Sequence, residues 1–416
     1  MKSYWLKNIR LECGFKRENA RVTGTLTNLF HIFISDGCIT KIIGAEEKIP
    51  DDLPIKDGRG LLMLPSFVEK HVHLDKTYIG DHEWRSCIPA SSVIDRCEIE
   101  KNILASISTS TQYRAEALLQ QLLSFGSTHV RTHVDIYPEV KLHNLVEIQK
   151  ALDSYSQKLS SEIVAFAQHG LLRPGVVNLM REAVRSGAGI VGAVDPATVD
   201  NNIEASLVQL MDLAVEGDAD IDLHLHDPGH LGTFTMKRLA FLTKEAGWEG
   251  RVAISHAFGL GDVSTEEAAE MAEILRQAGI TIVSSLPMGR AIPPIKLLSE
   301  YGVEVAIGND NIYDSWWPTG NGDILARAGR LVERNRWTDE FSLAQTLKYI
   351  TGGITPLDKE GNQVWPKEGD KANIILVNAS CSAEAVARQA KREAVFYNGS
   401  LVYGDLNHQQ VILQDH

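Results

Sequence analysis

The middle of the chain alternates between two hydrophobic patterns. Short, nearly continuous apolar runs read LLMLPSFV, STHVRTHV, EIVAFAQ, AGIVGAV, DIDLHLH, RVAISHA, ITIVSS and VEVAIGND. From the second run onward they recur at intervals of about 24–34 residues, the spacing of a strand followed by a helix. Amphipathic stretches lie between them. One example, Glu266 to Ala278, is closed by Gly279 as a helix C-cap would be. Eight such units predict an α/β fold of the (β/α)8 TIM-barrel type.

Both ends of the chain read differently. Leu29 to Ser35, the turn Asp36-Gly37 and Ile39 to Ile43 form a strand–turn–strand pattern. Near the other end, Ala372 to Ala379 and Ala394 to Gly404 repeat it, with Asn398-Gly399 as a hairpin turn. The expectation is a small β-sandwich domain built from residues 1–60 plus 366–416, beside a barrel spanning 61–365.

Composition narrows the partners. The 416 residues carry 41 basic and 54 acidic side chains, a net charge of −13. No basic stripe offsets this, so no binding of nucleic acid or of an anionic membrane surface is expected. No apolar run is long enough for a membrane span. The five cysteines form no Cys-x-x-Cys pair, which suits free thiols in a reducing compartment. The opening MKSYWLKNIRLECGF lacks the apolar core of a secretion signal. A cytoplasmic protein is expected, and self-association into a homo-oligomer stays open.

Polar residues collect at the ends of the apolar runs: His71 and His73, His133, Gln168, Asp195, His224 with Asp227, His256, and Asp310. A barrel of this type places its chemistry at the C-terminal ends of its strands. Alternate residues of a strand share a face, so His71 and His73 can point together into the barrel mouth. His224 could add a third nitrogen and Asp310 an oxygen. Three imidazoles and one carboxylate suit one divalent ion, Zn2+ or Fe2+, with a position left for water. His129 and His133 have helical metal spacing, which means nothing on a strand. His133 reads as a supporting residue and His129 as core.

The motifs PSFVEKHVHLDK, HVRTHVD, VAFAQ, DLHLHD, ISHAF and IGNDNIYDSWWP, in that order, resemble those of the amidohydrolase superfamily, in its cytosine deaminase-like branch. The resemblance implies that His71, His73, His224 and Asp310 bind the metal. It also implies that His256 orients the hydrolytic water and that Asp310 takes its proton. Asp227 would shuttle protons, with Gln168 and Trp316 holding the substrate ring. The expected activity is hydrolytic deamination of a small nitrogen heterocycle, such as a cytosine-like aminopyrimidine or an aminotriazine. Hydrolysis of another C–N bond, in an N-alkylaminotriazine or a cyclic amide, is the first alternative, and a catalytically weak ligand-binding barrel the second. Binuclear members bridge their metals with a lysine at the end of the fourth strand. GIVGAVDPA has none there, so one metal is expected.

The chain departs from that pattern at Asp227, where relatives carry glutamate. The side chain is shorter by one C–C bond, about 1.5 Å, and a displacement of about 1 Å can cost a hundredfold in rate. His226 could share the proton work. Asp195 reads as a helix cap or a substrate contact, Lys76 as a loop ion pair or a substrate contact, and Asp75 as a structural hydrogen-bonding residue. Trp317 beside Trp316 reads as lid or packing.

Overall fold

The computed structural model describes residues 3–50 and 52–406. The last ten residues of the expected 366–416 segment lie outside the described residues. Eight parallel strands form the central sheet: Phe67–Val72 (β1), Ser127–Asp135 (β2), Ser160–Ala167 (β3), Ile190–Ala193 (β4), Asp220–His224 (β5), Val252–Ser255 (β6), Ile280–Ser284 (β7) and Val305–Ile307 (β8). Each pairs with its neighbours in chain order. A parallel bridge between Val72 and Asp310 brings β8 back to β1, and the Asp310 amide donates to the His71 carbonyl at 2.7 Å. The sheet thereby forms the barrel expected from the eight runs.

The strands read as continuous apolar runs because both faces are covered. Every residue of β4 and β6 is buried. Helices occupy the intervals, as the amphipathic stretches predict. Thr265–Gln277 begins with a reciprocal capping box in which Ser264 and Glu267 satisfy each other's backbone amides.

The chain ends combine in a second sheet. Its order is Ser400–Gly404, Arg392–Tyr397, Ile374–Val377, Leu62–Pro65, Tyr4–Glu18, Arg21–Ser35 and Cys38–Gly44, with Ile55–Asp57 paired to Tyr4–Glu18. Leu62–Pro65 sits between strands from the two termini. The first apolar run, LLMLPSFV, therefore serves both sheets, with Ser66 as the joint between Leu62–Pro65 and β1. No helix among the described residues is long and apolar enough to cross a membrane.

Candidate active site

Left-handed backbone recurs just past the C-terminal ends of barrel strands, among others at Asp195 after β4 (φ 38°), His256 after β6 (φ 71°) and Asp310 after β8 (φ 63°). Non-glycine residues held there carry strain that the surrounding structure must stabilise, and such residues collect at functional sites. Here that strain marks the mouth of the barrel.

Imidazoles crowd this mouth. The His71 ring lies 4.0 Å from that of His133, 4.6 Å from His224 and 5.0 Å from His256 between centroids. Asp310 Oδ1 stands 3.4 Å from His71 Nε2 and 3.3 Å from His73 Nε2. Ligand-capable atoms of His71, His133 and His224 all lie within 4.8 Å of one another, as do those of His71, His256 and Asp310. His71 Nε2, His256 Nε2 and both nitrogens of His224 and of His133 are buried without a hydrogen-bond partner among the described residues. Buried polar atoms without partners are rare, and an ion or water is the ordinary explanation. Burial first, then neighbouring groups, holds His133, His224 and His256 well below the usual imidazole range, and His73 is held down to about 3. Neutral imidazoles are the ligand form. Burial raises the Asp310 carboxyl, but the imidazoles of His256, His71 and His73 outweigh it and keep the group ionised. This donor set fits a divalent cation.

The structure groups His133 more tightly with His71 and His224 than its reading as a supporting residue implies. His129 is a correction. It is partly exposed rather than core, with Nδ1 2.9 Å from Ser160 Oγ and Nε2 3.4 Å from Glu162. Strand alternation still holds, since positions 129, 131 and 133 share a face, but His129 lies too far from the mouth to join the imidazoles.

A chain of polar residues beneath the mouth supports His71. Its Nδ1 lies 2.8 Å from Ser255 Oγ, which donates to Asp222 Oδ1 at 2.6 Å. Arg131 donates to Asp222 Oδ2 at 3.0 Å and to Glu162 at 2.7 Å. On β1, Glu69 accepts from the His71 amide (3.0 Å) and from the amide and side chain of Asn309 (2.9 and 2.6 Å). Sequence reasoning overlooked these residues, yet a signal existed. Glu69, Arg131 and Asp222 each stand two positions before a mouth histidine, and period-two alternation puts them on the same inner face. Replacing Asp222 with alanine should lower stability by about 2 kcal/mol, the loss of hydrogen bonds to a charged group. Asparagine should recover part of it; equal urea midpoints for wild type and Asp222→Ala would refute the support role.

Two connected chambers open above the imidazoles. The inner one, about 30 Å³, is lined by His73, Phe166, Gln168, His224, His256 and Asp310 among others. That is the volume of one water or ion. The outer one, about 330 Å³, shares His226, His256, Asp310 and Trp316 with it. This size suits a small organic ligand. Gln168 lies on the inner wall, but its amide is engaged: Oε1 accepts from Lys76 at 2.6 Å and Nε2 donates to Glu100 at 2.8 Å. Trp316 donates Nε1 to the other oxygen of Glu100 at 2.7 Å and lays its ring along both chambers. Glu100 comes from the helix Val93–Ser106 (α1), whose start supplies Val93 to the wall.

Lys76 has resolved to a buried ion pair. It is fully buried, 3.0 and 3.1 Å from the oxygens of Asp135 and 3.5 Å from Glu100. Asp75 is structural as expected, accepting the Asp135 amide at 2.8 Å. Asp195 is neither a free cap nor a wall residue; it grips His226 through the backbone amide (2.5 Å) and through Nδ1 (2.8 Å). The structure does not bring Asp227 to the chambers. Its Oδ1 accepts from Thr198 at 2.9 Å and Oδ2 is buried without a partner. The cause is alternation: His224 and His226 share one side, and the short Asp227 side chain leaves on the other.

A closed parallel barrel with a histidine-rich mouth that can hold a divalent cation is a TIM-type barrel with a candidate metal centre. Residues 98–403 match the model of the Amidohydrolase family, and the chain belongs to that family. It is a hydrolase of carbon–nitrogen bonds whose residues can hold a divalent metal. The chain is 34% identical over 383 residues to N-isopropylammelide isopropyl amidohydrolase of Pseudomonas sp. (strain ADP), covering 88% of this chain and 92% of that one. Among solved structures, N-isopropylammelide isopropylaminohydrolase from Burkholderia multivorans superposes with a TM-score of 0.85 at 28% identity, covering 97% of this chain and 98% of that one. The 5-methylcytosine deaminase from Klebsiella pneumoniae, liganded with 5-fluorocytosine, does so with 0.78 at 25% identity, covering 98% and 99%. The cytosine deaminase-like resemblance in the motifs thus extends to the fold.

Proposed function

We propose that this protein removes an exocyclic amino or alkylamino group from a small nitrogen heterocycle by hydrolysis, leaving a carbonyl. The observation that carries this reading is the cluster of buried imidazoles around one carboxylate at the floor of a cavity sized for one ring. His71, His73, His224 and Asp310 would hold one divalent ion, zinc or ferrous iron. When bound, such an ion acidifies water and polarises the carbon under attack. His256 presents Nε2 to the inner chamber, with Nδ1 3.3 Å from Ser285 Oγ, and orients the water. The carboxylate of Asp310 accepts the water's proton. His226, held through Nδ1 by Asp195, presents Nε2 to the cavity and delivers a proton to the departing nitrogen. Gln168 and the Trp316 ring position the heterocycle.

The two isopropylammelide hydrolases favour an alkylamine as the leaving group, and the 5-methylcytosine deaminase favours ammonia. A screen decides between them. Metal-loaded protein is offered cytosine, aminotriazines and N-alkylaminotriazines, and both ammonia and alkylamine are assayed. We expect turnover of at least one class, about one metal per chain, loss of turnover on chelation, and recovery with zinc or iron. Full metal occupancy with no turnover of any ring would favour the catalytically weak binding barrel instead.

A further inference from the structure

The outer chamber is lined by three arginines: Arg290, on the loop after β7, and Arg327 and Arg330, on the helix Ile324–Asn335 (α2). Arg327 uses each of its three nitrogens once, donating to the Asn309 side chain and carbonyl and to the Ser285 carbonyl at 2.9–3.1 Å. Arg330 donates once, to the Leu286 carbonyl at 3.3 Å. Arg334, one turn on, donates to the Pro287 and Arg290 carbonyls. The α2 arginines thus hold the loop by its carbonyls, a task that neutral donors could also perform. Among the described residues the Arg290 guanidinium donates no hydrogen bond. It lies 3.6 Å over the ring of Phe258, which in turn stands 5.6 Å from His226 and 5.3 Å from His256.

Among the described residues no carboxylate forms an ion pair with Arg290, Arg327 or Arg330. Most of the acidic groups that face them from a distance are engaged elsewhere. Asp195 grips His226, Asp310 meets His71 and His73, and Glu69 serves Asn309 and the His71 amide. Asp262 accepts from the Gly229 amide at 3.2 Å, and Glu333 is the remaining acid near Arg330. In a chain of net charge −13, three cations with no ion-pair partner among the described residues line one cavity, an arrangement that favours anions. Arg290 and Arg330 keep free N–H donors suited to paired bonds with a carboxylate.

We infer that the outer chamber is an anion subsite, and that the substrate is a heterocycle bearing a carboxylate, or an equivalent anionic group, distal to the C–N bond that breaks. This rests on the proposed hydrolysis for the reacting end alone; the anion preference is a separate property of the chamber. Arg290 and Arg330 supply the contacts, Arg327 the fixed field, and Phe258 the platform under Arg290.

Matched probes test it by calorimetry on the zinc-loaded protein at low salt. The pairs are uracil-5-carboxylate with its carboxamide, uracil-6-carboxylate with its carboxamide, and benzoate with benzamide, the last owing nothing to deamination. In at least one pair the carboxylate should bind roughly tenfold tighter, the scale of a charge-assisted hydrogen bond. Salt should weaken only the carboxylates. The advantage should vanish in the Arg290→Ala/Arg330→Ala protein and partly return with lysine at both positions, with unfolding midpoints confirming that each variant is folded. No carboxylate advantage in any pair, including no binding at all, overturns the inference, as does an advantage that survives the double alanine variant. A carboxylate preference without turnover of any heterocycle would overturn only the proposed reaction, whereas turnover of neutral rings with no such preference would overturn only the anion subsite.

Discussion

Replacing Lys76 with methionine is expected to destabilise the protein by about 3–5 kcal/mol, the usual cost of removing one partner from a buried ion pair. Lys76 is the cation of a cluster that holds Asp75, Asp135 and Glu100, all buried. Burial lowers its amine, but Asp135, Glu100 and Asp75 outweigh this and hold it above the usual range. Even with Lys76 present, burial pushes the Glu100 and Asp135 carboxyls upward. The pH dependence follows. A carboxyl raised on folding binds protons in the native state that the unfolded chain has released, so stability falls as pH rises above about 4. Without Lys76 both carboxyls rise further, and the deficit of the variant should be smallest near pH 5 and larger at pH 8. Urea unfolding at both pH values measures this. The loss should also reach the cavity, because Gln168 and, through Glu100, the Trp316 indole are anchored on this cluster. A Lys76→Met protein as stable as wild type at pH 8 would mean that the carboxyls are already neutral and that the ion pair contributes nothing.

Periodicity made the barrel legible. Seven of the eight apolar runs coincide with barrel strands and the first is shared between Leu62–Pro65 and β1; burial on both faces makes them continuous, and their short length and regular spacing leave room for helices between. The mouth residues His71, His73, His224, His256 and Asp310 were legible for a related reason: a polar residue ending an apolar run on a barrel strand faces the site. The arrangement off the strands was not. Glu100 lies on α1, in a segment whose distance from the mouth no pattern encodes, yet it joins Gln168, Trp316 and Lys76. Arg290 and the α2 arginines reach the cavity only through loop geometry. The role expected of Asp227 comes from the family resemblance, whereas side-chain direction past a strand end depends on parity and on the partners available. Thr198 and Asp195, from the loop after β4, settle which of His226 and Asp227 meets the cavity, and that loop cannot be placed against β5 from the chain alone.

Removal of the His226 imidazole is expected to lower kcat by about 10²–10⁴-fold, the range for a positioned general acid. The expectation rests on geometry. His226 lines both chambers, stands 4.4 Å from the ring of His256, and has one nitrogen fixed by Asp195, so the other is aimed at the cavity. His226→Asn keeps a polar side chain but cannot deliver a proton. Asp195→Asn should show a smaller loss, because the ring stays in place while the charge that favours its protonated form is gone. Asp227→Asn should keep most of the wild-type rate, since an asparagine carbonyl can still accept from Thr198. A leaving-group series separates proton delivery from loss of shape. With substrates whose amines depart more readily, the defect of His226→Asn should shrink, while a merely misshapen cavity would slow every member of the series alike. The opposite ranking, with Asp227→Asn inactive and His226→Asn near wild type, would return the proton to Asp227 and require its carboxylate to swing away from Thr198 when the substrate binds.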